Sequence, residues 1–308
     1  MKAILICPDE RAEVPLLGWE TPLALAPALG FRVVEYWMSH LACAGFKQVL
    51  LLGTDRTEEL RKVVSNGSRW GVAAEVIDNS EELTPEEAAQ KFEALPAVMD
   101  HFPGFAEHPL FASYEQWFKA LAAWMPHAKM PDRVGLRQRQ PGVWMGLHGH
   151  VSSEARLEAP CWIGDHVYVG PRAIVGPETI LENGSFIESD AKISSSIIGP
   201  ATFVGRYMRI SNGLAWGSTL VDWQTGRQDT VSHTFLLCSL RPQRGGTRAI
   251  PWLDRIAEWL SHWNEDEPTE SLPFWPKKEA DQAMQSLSTS FKGAALPVAD
   301  EVTRRISR

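Results

Sequence analysis

The sequence predicts a mixed fold in which an N-terminal α/β region is followed by a parallel β-helix. In the first 78 residues, short apolar runs alternate with amphipathic segments, which is typical of a parallel sheet with crossover helices. Further along the chain, aliphatic residues recur at a spacing of six, with one step that is a residue shorter. They are Leu157, Ile163, Val169, Val175, Leu181, Ile187, Ile193, Ile198, Val204 and Ile210.

The six-residue spacing fits neither an α-helix nor a long strand, because their side chains repeat every 3.6 and every 2 residues. It does fit a parallel β-helix, in which each hexapeptide supplies one strand and one turn of a triangular coil. Three hexapeptides make one coil, so the run predicts a little over three coils. The aliphatic side chains point inward, and small residues such as Gly164, Gly170 and Gly176 follow where the backbone turns.

The N-terminal elements are predicted in the order strand, helix, strand, helix, strand. The apolar run Lys2–Cys7 indicates a buried strand. Apolar residues between Phe31 and Phe46 fall at helical spacing, and Gly45 ends that helix. The elements predicted next are a strand at 48–53, a polar helix at 57–64 and a strand at 73–77.

No further strand is predicted between residue 80 and the hexapeptide region. Two helical segments, Pro85–Leu95 and Tyr114–Trp124, occupy that stretch, and a last strand is predicted at Thr234–Leu240. Beyond it, an amphipathic helix is predicted at Pro251–Trp263 and a final helix at Lys278–Lys292. The predicted domains are a reduced α/β domain (1–79), a helical connector (80–140), the β-helix (141–240) and a helical tail (241–308).

Composition excludes several classes of function. A net charge of −8 argues against a nucleic-acid partner, because phosphate binding requires a basic face. The four cysteines have no CxxC spacing, and three lie in apolar surroundings, which indicates reduced, buried thiols in a cytoplasm. No apolar run is long enough for a signal peptide or a membrane span. Acidic residues on the 251–263 helix also argue against membrane contact.

Several short motifs are shared with one known family. The N-terminal part contains MKAILI, TPLALAP followed by VEY, and GSRWGV before a strand. The later part contains PGVWMG, CWIGDHVYVG, SSIIGPATFVG and FLLCSL. These segments resemble the nucleoside-diphosphate-sugar synthases (sugar-1-phosphate nucleotidyltransferases), including bacterial members that serve exopolysaccharide assembly. The resemblance covers a little over half of the chain, and it implies a Rossmann-like catalytic domain and a left-handed β-helix.

The chain departs from that family where the family binds its nucleotide. The family's glycine-rich phosphate loop follows the first strand, but here residues 7–14 contain no glycine and carry Asp9, Glu10 and Glu13. The family's PK motif corresponds to Pro22-Leu23, and leucine cannot neutralise a phosphate. The predicted sheet is also too small to carry the family's Mg²⁺-binding aspartates. We therefore predict a truncated domain without catalytic residues, metal or cofactor.

These departures favour a non-catalytic protein, a pseudoenzyme related to the nucleotidyltransferases. The resemblance implies a role as scaffold or regulatory subunit in nucleotide-sugar or cell-surface polysaccharide biosynthesis. It also implies a protein partner from that pathway. Because prisms of this kind associate side by side, we expect a homo-oligomer.

An active nucleotidyltransferase is the first alternative, and it would require Mg²⁺. Such an enzyme needs cations near the tips of the first two strands to replace the missing phosphate ligands. Arg11, Arg32 and Arg69 are the available candidates, and they are the residues that we single out as a remnant nucleotide or phosphate site.

A hexapeptide acyltransferase is the second alternative. Such enzymes place a histidine general base between coils, and His148 or His150 could serve. His166 is a further candidate, although a polar turn residue is routine at its position. Metal binding by His148 and His150 is disfavoured, because HGH lacks a third ligand.

Overall fold

Four short apolar segments of the N-terminal part form a parallel sheet. The computed structural model describes residues 1–128 and 135–241. In β1, Ala3 and Leu5 face one hydrophobic cluster while Ile4 and Ile6 face another, so the sheet is buried on both sides, as parallel sheets are. From edge to edge the strands are β5 (Ala73–Asp78), β4 (Gln48–Gly53), β1 (Lys2–Ile6) and β6 (Leu95–Val98).

Helices connect these strands, and a short hairpin precedes the longest of the connecting helices. Three 3-10 turns lie at Leu23–Leu25, Ser68–Trp70 and Met125–His127. The helices are α1 (Pro15–Gly18), α2 (Val33–Cys43), α3 (Thr57–Val64), α4 (Pro85–Phe92) and α5 (Tyr114–Trp124), and the hairpin is formed by β2 (Pro27–Ala28) and β3 (Phe31–Arg32). The mixed α/β organisation predicted for this part is confirmed.

Strand β6 and a further strand, β7 (Arg137–Gln140), correct the prediction that no strand lies between residue 80 and the hexapeptide region. The helix predicted at Pro85–Leu95 ends at Phe92, and the chain then pairs with β1. Pro96 has no amide hydrogen and therefore argues against a strand on sequence grounds. It is tolerated because β6 is an edge strand of the sheet.

The hexapeptide region forms three sheets of parallel strands, which confirms a parallel β-helix; its handedness stays a prediction. Four complete coils are present: the predicted run begins in the third strand of the first coil and continues through the other three. The first coil sheet contains β8 (Val143–Met145), β11 (Cys161–Ile163), β14 (Thr179–Leu181), β17 (Ser196–Ile198) and β20 (Gly213–Trp216). The second contains β9 (His150–Val151), β12 (Tyr168–Val169), β15 (Phe186–Ile187) and β18 (Thr202–Val204). The third contains β10 (Arg156–Leu157), β13 (Ile174–Val175), β16 (Lys192–Ser194) and β19 (Arg209–Ser211).

The interior of the coil is built from the predicted aliphatic residues. Every one of them except Leu157 is buried, and Leu157 packs against the same cluster from a half-buried position. Met145 and Val151 continue the six-residue spacing into the first coil and also pack against this cluster. The prediction of an inward-facing aliphatic column is confirmed.

Antiparallel strands complete the edges of the coil sheets. The last strand predicted at Thr234–Leu240 is confirmed as β23, which pairs antiparallel with β18. The strands of this kind are β7 (Arg137–Gln140), β21 (Thr219–Asp222), β22 (Arg227–Thr230) and β23 (Leu237–Ser239). The helices predicted at 251–263 and 278–292, and the rest of the predicted tail beyond residue 241, lie outside the described residues.

The α/β region packs on the outward face of the first coil sheet. One hydrophobic cluster contains side chains of α2 and α5 together with a column of outward-facing residues from successive coils. Phe118 of α5 also stacks on Trp223, with ring centroids 4.9 Å apart. The column comprises Trp144, Trp162, Ile180, Ile197 and Leu214, all buried.

A buried carboxylate fixes the position of this packing. Glu182 is 1% exposed, and its two oxygens accept hydrogen bonds from the backbone amides of Leu29 (2.6 Å) and Gly30 (2.9 Å). Asn183 donates its side-chain amide to the carbonyl oxygen of Gly30 at 3.1 Å. Leu29 and Gly30 form the β2–β3 turn and have φ angles of +50° and +80°. This backbone conformation points both amides at one anion.

Glu182→Ala removes the acceptor of two amides at a buried interface. Each buried donor left without a partner costs about 1–3 kcal/mol, so we expect the free energy of unfolding to fall by about 2–5 kcal/mol in urea denaturation. Glu107→Ala, at an exposed loop position, is the matched control and should change it by less than about 0.5 kcal/mol. Equal effects of the two substitutions would contradict this role of Glu182.

Candidate functional site

The carboxyl ends of the four parallel strands meet at one edge of the sheet. Ligands of open α/β sheets bind in the crevice beyond this edge, and residues 7–14, the segment compared above with a phosphate loop, follow β1 there. Cys7 begins that loop, and its amide still donates to the carbonyl oxygen of Leu52 at 2.9 Å. Burial, followed by the charge of Glu82, raises the pKa of the Cys7 thiol to about 12. The thiol is therefore protonated at neutral pH and is not a nucleophile.

A carboxylate of the chain itself is bound by this loop. Glu82, in the segment after β5, accepts a hydrogen bond from the backbone amide of Asp9 at 2.9 Å. The same oxygen, Oε2, accepts from Nη2 of Arg11 at 2.6 Å. An amide and a guanidinium are the donors that phosphate loops offer to an anion. In this chain both converge on Glu82.

Arg56 ties the neighbouring loops together. It follows β4, and its guanidinium donates to the carboxylate of Asp55 and, at 2.6 Å, to the carbonyl oxygen of Gly18. Its Nη2 also lies 3.4 Å from a carboxylate oxygen of Glu10. The hydrogen bond to Asp55 is the main cause that raises the pKa of Arg56 above its ordinary value. Arg56 was not predicted from the sequence, although an Asp-Arg pair shortly after a buried strand could have indicated it.

The other two predicted cations lie at a different place, the start of α2. Glu35 is 7% exposed, and its Oε1 accepts from Nη1 of Arg69 at 2.5 Å. Its Oε2 accepts from the backbone amide of Arg32 at 2.9 Å. The guanidinium of Arg69 also lies 5.2 Å from the centroid of the Trp70 ring. The structure therefore places the Arg69 guanidinium and the Arg32 backbone amide at Glu35, and the Arg11 guanidinium at Glu82.

Magnesium in such a site, at the carboxyl edge of the sheet, would be held by one or two carboxylates together with waters and substrate phosphates. Asp100 follows β6 there, but it pairs with Nδ1 of His101, while Asp55 and Glu82 are held by arginines. Among the described residues, no three His, Cys, Asp or Glu side chains are arranged to hold a metal ion. The carboxylates of Asp55, Glu82 and Asp100 at this edge are each paired with a side chain of the protein.

The candidate histidines form two stacked pairs on neighbouring coils. His148 and His166 lie at the same corner of successive coils, with ring centroids 4.9 Å apart and positive φ angles of 53° and 55°. His150 stacks on Tyr168 at 5.3 Å. The coil period of eighteen residues explains both pairs, and this signal in the sequence could have predicted them.

His150 has the environment of a neutral imidazole. It is half-buried at the start of β9, and burial, followed by the positive charge of Arg139, lowers its pKa below 6.5. A neutral imidazole at pH 7 can accept a proton. Burial and the charge of Glu188 raise the pKa of the adjacent Tyr168 to about 12, so this tyrosine keeps its proton.

The prediction of three buried, reduced thiols is confirmed. Cys7, Cys161 and Cys238 are buried, whereas Cys43 is exposed, and none of the four forms a disulfide. No helix among the described residues combines the length and the apolar character that crossing a membrane requires.

Comparison with known proteins adds little to this geometry. No family model matches the chain. Among solved structures, it is similar to a mutant of perosamine N-acetyltransferase from Caulobacter crescentus in complex with CoA and GDP-perosamine. That match is 13% identical, covers 56% of this chain and 93% of the acetyltransferase chain, and has a TM-score of 0.16. At so low a TM-score, fold and function rest on the chain's own residues.

The environment of His150 predicts a pH-dependent contribution to stability. Folding lowers the pKa of His150 below 6.5, so the unfolded state binds the proton more tightly than the folded state. The contribution of neutral His150 to the free energy of unfolding is therefore lost as the pH falls from above 6.5 through the pKa of the folded state. We expect the difference in Tm between the wild type and His150→Gln to shift against the wild type between pH 7.5 and 5.5. A difference that stays constant, or that shifts in favour of the wild type, would contradict this assignment.

Proposed function

We propose that this chain is a non-catalytic relative of the sugar-1-phosphate nucleotidyltransferases, acting as a scaffold or regulatory subunit in nucleotide-sugar or cell-surface polysaccharide biosynthesis. The observation that carries this proposal is the bond of Glu82 to the Asp9 amide and to Arg11. The donors that would hold a nucleotide phosphate are used to hold the chain's own carboxylate. The shared sequence motifs support the pathway.

Electrostatics strengthen the proposal. A phosphate could reach these donors only by displacing Glu82, whose charge would then remain nearby. Asp9, Glu10 and Glu13 lie in the same loop. Each like charge at 4 Å costs about 1 kcal/mol in water and about 4 kcal/mol near a protein surface. Several such repulsions together exceed the attraction that Arg11 alone can provide to a phosphate.

The proposed role as a scaffold rests on the remaining architecture. The coil and the α/β region share one hydrophobic cluster and are joined through Glu182, so together they offer a rigid, extended surface. We include in the proposal a left-handed coil, association into a homo-oligomer, a cytoplasmic location and a protein partner from the same pathway.

Nucleotide binding tests the proposal directly. Isothermal titration of the full chain with each nucleoside triphosphate and Mg²⁺ should show no binding tighter than about 1 mM. No pyrophosphate should be released when a sugar 1-phosphate is added, because the loop offers no unoccupied anion site.

Micromolar binding with pyrophosphate release would overturn the proposal. Two substitutions would locate any binding that is observed. Arg11→Ala should abolish it if the loop after β1 is the site, whereas Arg61→Ala, which removes an arginine of α3 that is as exposed as Arg11, should leave it unchanged.

His150 supports a second candidate function, a hexapeptide acyltransferase. Its lowered pKa keeps the imidazole neutral at pH 7. A neutral imidazole could accept the proton that an amine or hydroxyl loses as it attacks an acyl thioester. The attacking atom would form a bond to the acyl carbon as the carbon–sulfur bond breaks, and the proton taken up by the histidine would pass to the departing thiolate, which leaves as the free thiol.

Thiol release measures this second function. Incubation of the full chain with acetyl-CoA and amino-sugar nucleotides should release free CoA, and His150→Asn should reduce the rate about 10²- to 10⁴-fold. His166→Asn, at the other stacked pair, is the matched control and should retain the rate. The acyltransferase candidate is contradicted if the wild type releases no CoA. The assignment of His150 as its base is contradicted if both variants lose activity equally.

A further inference from the structure

The outward face of the second coil sheet carries a row of side chains that lie in register. Val169, Ile187 and Val204 point into the coil, so the residue before each of them points outward. These outward residues pair directly across the sheet, and β9 and β23 add one member at each end. We call this set the outer row, and in sheet order it comprises His150, Tyr168, Phe186, Phe203 and Cys238.

Most of the outer row is buried, although it faces away from the coil interior. Tyr168, Phe186, Phe203 and Cys238 are all buried. The ring centroids of Tyr168 and Phe186 lie 4.3 Å apart, and those of Phe186 and Phe203 lie 5.6 Å apart. Stacking covers the faces of these rings but leaves their outer edges open to solvent. The complete burial of Phe186 and Phe203 therefore requires apolar groups over this face of the sheet.

The elements of the described chain do not account for this cover. Within residues 1–128 and 135–241, the α/β region packs on the first coil sheet, and β23 lies beside β18 rather than over it. The three hydrophobic clusters formed by those residues contain no member of the outer row. Burial also raises the pKa of the Cys238 thiol to about 12, so the end of the row is shielded from solvent as well.

The last described strand ends beside the outer row. β23 ends at Ser239 in the same sheet, and the segment 250–263 begins eleven residues later. A connection of that length can span at most about 36–40 Å, whereas the five strands that carry the row extend over about 19 Å. Every member of the row is therefore within reach of this segment.

The sequence of segment 250–263 suits this face. Its residues lie outside the described residues, and their spacing predicts a helix with one apolar side. A helix of this length extends over about 21 Å, which matches the length of the outer row. Asp254 and Glu258 fall on the opposite side of the predicted helix. The apolar side comprises Ile250, Leu253, Ile256, Trp259, Leu260 and Trp263.

We propose that the outer row is the docking surface for the chain's own segment 250–263. Burial of the apolar side of the segment against the aromatic rings supplies the driving force. The short connection after β23 keeps the segment at a high effective concentration over the sheet. Because the row ends at His150, a substrate could reach that imidazole across this face only if the segment moved. The proposal does not depend on either function proposed above.

Alkylation of Cys238 in the full-length protein tests the proposal, because this thiol is a native reporter at the end of the row. Labelling with iodoacetamide followed by peptide mass spectrometry measures Cys238 and Cys161 separately. The combined substitution Ile256→Ser and Leu260→Ser should raise the labelling rate of Cys238 about tenfold or more, since the cover opens more often. Cys161, inside the coil, should keep its rate.

Asp254→Ser combined with Glu258→Ser is the matched control. Like the first pair, these two residues are four positions apart, but they lie on the opposite side of the predicted helix. This variant should alter the labelling rate of Cys238 by less than about twofold. In the wild type, the rate should not depend on protein concentration, and hydrogen exchange should show protected amides in 250–263.

The proposal is overturned if the two combined variants label Cys238 equally fast. It is also overturned if the wild-type rate rises on dilution, since the cover would then come from a second copy of the chain. Exchange of the 250–263 amides as fast as in an unfolded peptide would overturn it as well. The exchange measurement needs no substitution, so it decides the case if the apolar variant unfolds and exposes Cys161.

Discussion

The buried carboxylate of Glu182 determines how the two parts of the described chain fit together. Apolar burial between the α/β region and the first coil sheet is attractive but non-directional. Hydrogen bonds from the Leu29 and Gly30 amides to one carboxylate are directional, and they fix which coil the hairpin contacts. The hairpin leads directly into α2, so the same bonds position Glu35 and the arginines around it.

The chain uses this device twice. At the interface, two backbone amides hold Glu182, and at the edge of the sheet an amide and Arg11 hold Glu82. In both places, donors that could bind an external anion bind a carboxylate of the protein. A charge that is paired in this way stabilises the local fold, and the donors are then not available to a ligand. The proposed loss of nucleotide binding follows from that exchange.

The sequence predicted the parts of the fold that rest on local periodicity. The six-residue spacing located the interior column from Leu157 to Ile210, and helical spacing located α2. Strand β6 was not predicted because Pro96 argues against a strand on sequence grounds. The pairing of β6 with β1 depends on tertiary structure, which local periodicity does not show.

The candidate site was harder to predict than the fold. Glu82 lies 71 residues from Arg11, and Glu182 lies 153 residues from Leu29, and no sequence pattern connects either pair. Arg11, Arg32 and Arg69 were recognised as cations, but their carboxylate partners depend on how the loops fold. The stacked histidines are an exception, because the coil period places His148 beside His166.

We expect above all that the loop after β1 keeps Glu82 bound in the presence of nucleotide. Crystals soaked with a nucleoside triphosphate and Mg²⁺ test it most directly. We expect Glu82 to remain bonded to Arg11 and to the Asp9 amide, with no phosphate density against residues 8–14. Phosphate density at that amide, with Glu82 displaced, would contradict it.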